Sequence, residues 1–204
     1  LLGGPAPASL AQSTRAVFVI NDPLSEYAVG KRDFDSESNP QSGRQRYVPP
    51  SANKPWQALV ERVGRRLAAV VSADTEVSEW TFVVRKSKGV NAHAHPGGFV
   101  CVNEGLLAWL ADPRTKQVDE GRLAAVLAHE IAHVARQHFS NALKQAVALR
   151  EYLRLTDKEK EEKNRAAFVA AFSRANEIEA AQYGALYLVR AGYRFAAALH
   201  MWKP

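Results

Sequence analysis

Five residues in this chain carry a chemical pattern: His129-Glu130-Ile131-Ala132-His133. Two histidines four apart share one face of a helix, so their imidazoles can converge on one zinc ion. Glu130 between them projects toward the same point and can take a proton from a water that the metal acidifies. The alternative is a core helix with two hydrogen-bonded histidines. The surroundings weigh against it. Leu123, Ala124, Ala125, Val126, Leu127, Ala128 and Val134 make this the most apolar stretch of its helix. A buried helix rarely carries His, Glu and His there unless they are paired or bind metal.

A catalytic zinc usually has three protein ligands and one open position. The best candidate for the third is Glu177, in Asn176-Glu177-Ile178-Glu179-Ala180-Ala181. Glu179 competes, but residues two apart on a helix point to nearly opposite faces. The Glu177 face carries Ser173, Ala180, Ala181, Gly184 and Leu188, mostly small residues that let two helices approach closely. Glu179 lies among Gln182, Tyr183 and Leu186, which suit a periphery.

The elements that must position these groups follow from periodicity. Leu1 to Ser13 reads as a linker or tail, and Arg15 to Ile20 as a short strand. Asn21 to Ser51, broken by four prolines, reads as an extended arm. Residues 1–51 are thus tail and arm, and the folded domain spans 52–204. Lys54 to Ser72 has apolar residues at helical spacing, with Pro55 in the first turn. Strand-like runs follow at 79–84, 90–95 and 99–103, with Pro96-Gly97-Gly98 as the turn between the last two. A helix starts at Glu104, and the motif helix runs from Val118 to Ser140 with Asp119 and Glu120 at its positive end. Helix continues over 141–155. Asp157 to Arg165 is a charge run, read as a solvated face or surface loop. A helix over 166–191 is capped by Gly192, and a last one begins at Phe195. The fold class is α+β, with a small antiparallel-rich sheet packed on helices and the motif helix at the centre.

The 204 residues suit one domain with a sizeable core. No apolar run approaches the roughly 20 residues that span a bilayer. The lone Cys101 excludes an internal disulfide framework. The formal charge of +6 suits a negatively charged membrane surface, so peripheral membrane association is an expectation. The basic residues are scattered, not striped with aromatics, which argues against nucleic acid. Nothing in the sequence sets an oligomeric state.

Three motifs in order resemble the gluzincin peptidases that include HtpX, the CAAX prenyl endopeptidase and their soluble periplasmic relatives. They are Val90-Asn91-Ala92-His93-Ala94-His95-Pro96-Gly97-Gly98, Leu127-Ala128-His129-Glu130-Ile131-Ala132-His133-Val134, and Asn176-Glu177-Ile178-Glu179-Ala180 followed by Gly184 and Ala191-Gly192-Tyr193. The resemblance covers roughly Ala52 to the end. It implies a zincin-like fold and a zinc metalloendopeptidase holding one Zn2+ on His129, His133 and Glu177, with Glu130 as catalytic base. It implies protein or peptide substrates, misfolded or membrane-associated, in the periplasm or cell envelope. An extended substrate would add beside residues 90–95, at Asn91 and Ala92.

Three departures stand out. The family's Asp four residues after the third ligand is Ala181 here, which removes a carboxylate that supports a ligand histidine. That change raises the alternative of a weakly active member working as a chaperone-like or adaptor protein. His93 and His95 replace residues that are usually apolar. They share one strand face and fit a second metal site, a pH-sensitive groove, or polar groups on a cleft-facing or exposed edge. The family's basic residue beyond the third-ligand helix falls past the end of this sequence.

Overall fold

The computed structural model describes residues 26–40, 48–142 and 174–199. The expected strand at 15–20, the tail, the helix over 143–155 and the charge run at 157–165 lie outside these residues, as do the ends of the last two helices.

Helix α1 spans Glu26–Ser38 and α2 spans Lys54–Val71. The start of α2 is set locally. Asn53 Oδ1 accepts a hydrogen bond from the Trp56 N–H at 3.1 Å, and Pro55 occupies the first turn, where no N–H is needed. Val60, Val63, Leu67 and Val71 recur at helical spacing and are completely buried. Three strands follow: β1 Thr81–Arg85, β2 Ala92–His95 and β3 Phe99–Asn103. Helix α3 covers Glu104–Leu110, α4 Glu120–Ala135, α5 Arg174–Arg190 and α6 Ala196–Leu199.

The sheet order is β1-β3-β2. β3 pairs parallel with β1 and antiparallel with β2, so the sheet is mixed and not antiparallel-rich. The reason is the route of the chain. After β1 it passes to the far edge, forms β2, and returns through Pro96-Gly97-Gly98 into the gap between the two. Gly97 and Gly98 take φ of 77° and 97°, a region only glycine enters freely.

β3 is buried along its whole length because both faces of the sheet are covered. Phe82, Val84, Val100 and Val102 face a core shared with α2 and α4. The opposite face carries Phe99, and α1 lies over it, with the Tyr27 and Phe34 rings 5.4 and 5.0 Å from that of Phe99. The segment 21–51, expected to be extended, therefore contains a helix. What docks it is Gly30, where a Cβ would stand 1.7 Å from the Pro96 carbonyl oxygen.

Helix α4 packs against α2, α5, β2 and β3. Asp119 caps it, its Oδ1 accepting from the Arg122 N–H at 3.0 Å. It stops at Ala135, not at Ser140 as periodicity suggested. Gln137 takes a φ of 55°, which breaks the helix, and a new helical turn covers 138–142. At the far end of α5, Gly192 has a φ of 77° and donates to the Val189 carbonyl, while the Tyr193 N–H reaches back to Leu188 O at 3.1 Å. This paired closure is the expected glycine cap. No helix among the described residues is long and apolar enough to cross a membrane.

Candidate metal centre

Helix α4 delivers His129, Glu130 and His133 to one end of the sheet, and α5 lies across it. The crossing is close because α5 presents small residues there. Ala180 is fully buried, and a Cβ on Gly184 would stand 3.1 Å from the His129 backbone. That approach brings Glu177 over the two histidines. His129 Nε2 and His133 Nε2 are 3.1 Å apart. Glu177 Oε2 is 3.2 Å from the first, and Glu177 Oε1 is 3.4 Å from the second. The three side chains make a compact group of two nitrogens and a carboxylate.

The electrostatics suit a cation. Burial, together with the neighbouring His138, holds the His129 pKa down at about 4. Burial and the other two imidazoles bring His133 to about 3. Both rings are therefore neutral at ordinary pH, the form that binds metal. Glu177 is pushed up by burial. Two imidazoles and a carboxylate form a three-ligand set that leaves a fourth position open, so these residues fit a zinc ion.

Glu130 sits beside the group. Burial lifts its carboxyl to about 8; His93 and a hydrogen bond from the Ala94 backbone N–H pull down, and Glu177 adds to the rise. A carboxyl poised near neutrality can both take and return a proton. Its Ala94 partner belongs to β2, the edge strand. Asn103 N–H donates to Asn91 O at 3.0 Å, so Asn91 turns its carbonyl inward to β3. By antiparallel alternation, the polar backbone groups of Ala92 and Ala94 turn outward. Asn91 and Ala92 line a cavity of about 270 Å³ together with His129, Glu130 and Trp109. Val90 and Trp109, both more than half exposed, give that cleft an apolar wall.

Sequence reasoning missed two residues of this centre. His138 lies five residues past His133, a spacing that on a straight helix turns it off the metal face. The helix break at Gln137 turns it back, and its Nδ1 comes 3.0 Å from His133 Nδ1. Glu179, assigned to the periphery, lies 3.2 Å from His138 Nε2 and 2.7 Å from Arg136 Nε. One placement of protons satisfies this chain when His133 Nε2 faces a metal. His133 Nδ1–H donates to His138 Nδ1, and His138 Nε2–H donates to Glu179. A carboxylate thus reaches a candidate ligand histidine through a second imidazole. The only signal in the sequence was a histidine five residues past His133, preceded by the polar pair Arg136-Gln137.

The pattern of the family described as Peptidase family M48 matches residues 55–203 of this chain. A Vibrio cholerae protein named as a beta-barrel assembly-enhancing protease is 33% identical over 86 residues, which is 42% of this chain. The matched stretch is 16% of that relative's length.

Proposed function

The chain belongs to peptidase family M48, and from that premise we propose that it is a zinc-dependent endopeptidase acting on misfolded or membrane-associated proteins. One observation carries the reading: two neutral imidazoles and the Glu177 carboxylate within 3.4 Å of one another, beside a buried carboxyl at Glu130. His129, His133 and Glu177 would hold the ion. A zinc ion there supplies Lewis acidity toward water and toward a substrate carbonyl. Glu130 accepts the proton of the attacking water, then delivers it to the nitrogen of the leaving amine. β2 offers the outward groups of Ala92 to an extended peptide, which adds as a further strand. Asn91 borders that position, and the apolar wall at Val90 and Trp109 receives side chains.

A periplasmic or envelope setting is part of the proposal, and the name of the Vibrio cholerae relative supports it. The rival reading of a weakly active adaptor rests on Ala181. The Glu179–His138–His133 chain supports the enzyme instead, because it brings a carboxylate to the site by another route.

The test is zinc content together with casein cleavage by wild type and Glu130→Gln. The variant should keep its zinc and lose cleavage by about 100-fold or more, the scale of general acid–base catalysis. Cleavage at the wild-type rate would sink the mechanism.

A further inference from the structure

A second group of metal-binding side chains lies on the other face of the edge strand. His93 and His95 are two apart on β2 and so share a face. Cys101 is the cross-strand partner of His93 on β3 and stands on that same face. Helix α1 covers it and adds Glu37. Glu37 Oε2 is 3.1 Å from His93 Nε2 and 3.5 Å from His95 Nε2. One ligand atom from each of the four residues lies within 4.8 Å of all the others.

We propose that Glu37, His93, His95 and Cys101 hold a second metal ion, a structural zinc that ties α1 to the edge strand. The donor set is the first argument. Thiolate, imidazole and carboxylate are the ligand types zinc selects. Bond lengths of about 2.0–2.3 Å put neighbouring ligand atoms of a tetrahedron about 3.3–3.8 Å apart. The spacings here reach that range with shifts under about 1 Å.

Ligand number is the second argument. Three protein ligands leave a position for water, as at His129, His133 and Glu177. Four close the shell, which is the mark of a structural site. Burial is the third. Cys101 is completely buried, so it is no nucleophile for a substrate. The imidazoles and the carboxyl around it are half-buried, and four donor groups drawn from three elements are held together at lowest cost by a cation. Arg85 is the other cation facing the group. Its Nε–H points to Cys101 Sγ at 3.4 Å, and its guanidinium reaches the Phe34 carbonyl at 3.4 Å and the Ser38 hydroxyl. An N–H directed at a thiolate sulfur is the support such ligands receive from their surroundings.

The experiment is cobalt substitution of the full chain, followed by zinc analysis. Only this group contains sulfur, so a thiolate-to-cobalt charge-transfer band in the near ultraviolet reports it alone. The band should appear in wild type and in His129→Ala, and be absent in Cys101→Ser. Zinc content should be about two equivalents in wild type and about one in Cys101→Ser. If Cys101→Ser fails to fold, sulfur scattering around zinc in the X-ray absorption spectrum of the wild type gives the same answer. About one zinc equivalent in wild type and no thiolate band on cobalt loading would overturn the site. Either result is independent of casein cleavage, so the second ion and the peptidase reading stand or fall separately.

Discussion

Residue identity at the metal group sets a ranked series of losses. Glu177→Ala removes a proposed ligand and should abolish tight zinc binding, lowering the melting temperature with it, because metal affinity for the folded state adds to stability. Glu179→Ala should act more gently. It frees His138 from its carboxylate and costs roughly 10-fold in zinc affinity, the low end for a group that orients a ligand. Arg136 also loses its partner in that variant, but the Arg136–Glu179 pair is more than a third exposed and adds little. Competition with a chelator measures both variants. Equal loss in the two would show that Glu177 is not the ligand. Ala181→Asp should change zinc affinity by less than about 10-fold, since a carboxylate already reaches His133 through His138. A larger gain would mean that the chain through His138 contributes little and that Ala181 is what weakens this site.

At the scale of elements, the centre depends on how closely α5 lies on α4. Gly184 helps set that distance, since a Cβ there would stand a tight 3.1 Å from the His129 backbone. Gly184→Val should push the helices apart, destabilise the fold by about 1–3 kcal/mol as overpacking does, and carry Glu177 away from the histidines. Denaturant midpoint and zinc affinity should therefore fall together. A variant that lost stability but kept full zinc affinity would show that Glu177 follows the metal without help from the helix contact. The break at Gln137 matters in the same way. A straight α4 would point His138 elsewhere, so the Arg136-Gln137 turn gives the second histidine its role.

For the whole molecule, the sheet separates two regions. One face and the outer edge of β2 border the candidate metal centre and its cleft, and the other face receives α1. Gly30→Val should strip α1 from the sheet, because a side chain there overlaps the Pro96 carbonyl. The expected outcome is faster proteolysis of the α1 segment and a loss of about 1–3 kcal/mol, with zinc retained by His129, His133 and Glu177. Limited proteolysis and zinc analysis on one preparation check this, and α1 protected as in wild type would refute the docking role of Gly30. Elsewhere the body is tied by polar contacts. Arg62 makes a paired contact with Glu120 at 2.9 and 2.8 Å, and the Tyr193 hydroxyl donates to Glu120 at 3.0 Å. Arg66 donates to the Ala191 carbonyl at 2.7 Å, joining α2 to the end of α5.

Local signals in the sequence were strong enough to locate the principal elements and the candidate metal-ligating residues of α4. Pro55 in the first turn of α2, Asp119 at the start of α4, the Gly192 closure, the Pro96-Gly97-Gly98 turn and the spacing of His129 and His133 are all short-range, since each acts within a turn or two of chain. The small face of α5 also legibly favoured Glu177 over Glu179. The rest needed three dimensions. Strand direction is not written in strand composition, so the parallel pairing of β1 with β3 followed only from the chain's route. The prolines of 21–51 concealed α1, whose support comes from the sheet and not from its own weakly patterned residues. His138 became a partner of His133, and Glu179 of His138, only when a left-handed residue turned the chain and α5 crossed α4. Glu37, His93, His95 and Cys101 lie far apart in sequence. Strand register and the docking of α1 bring them together, and neither is local.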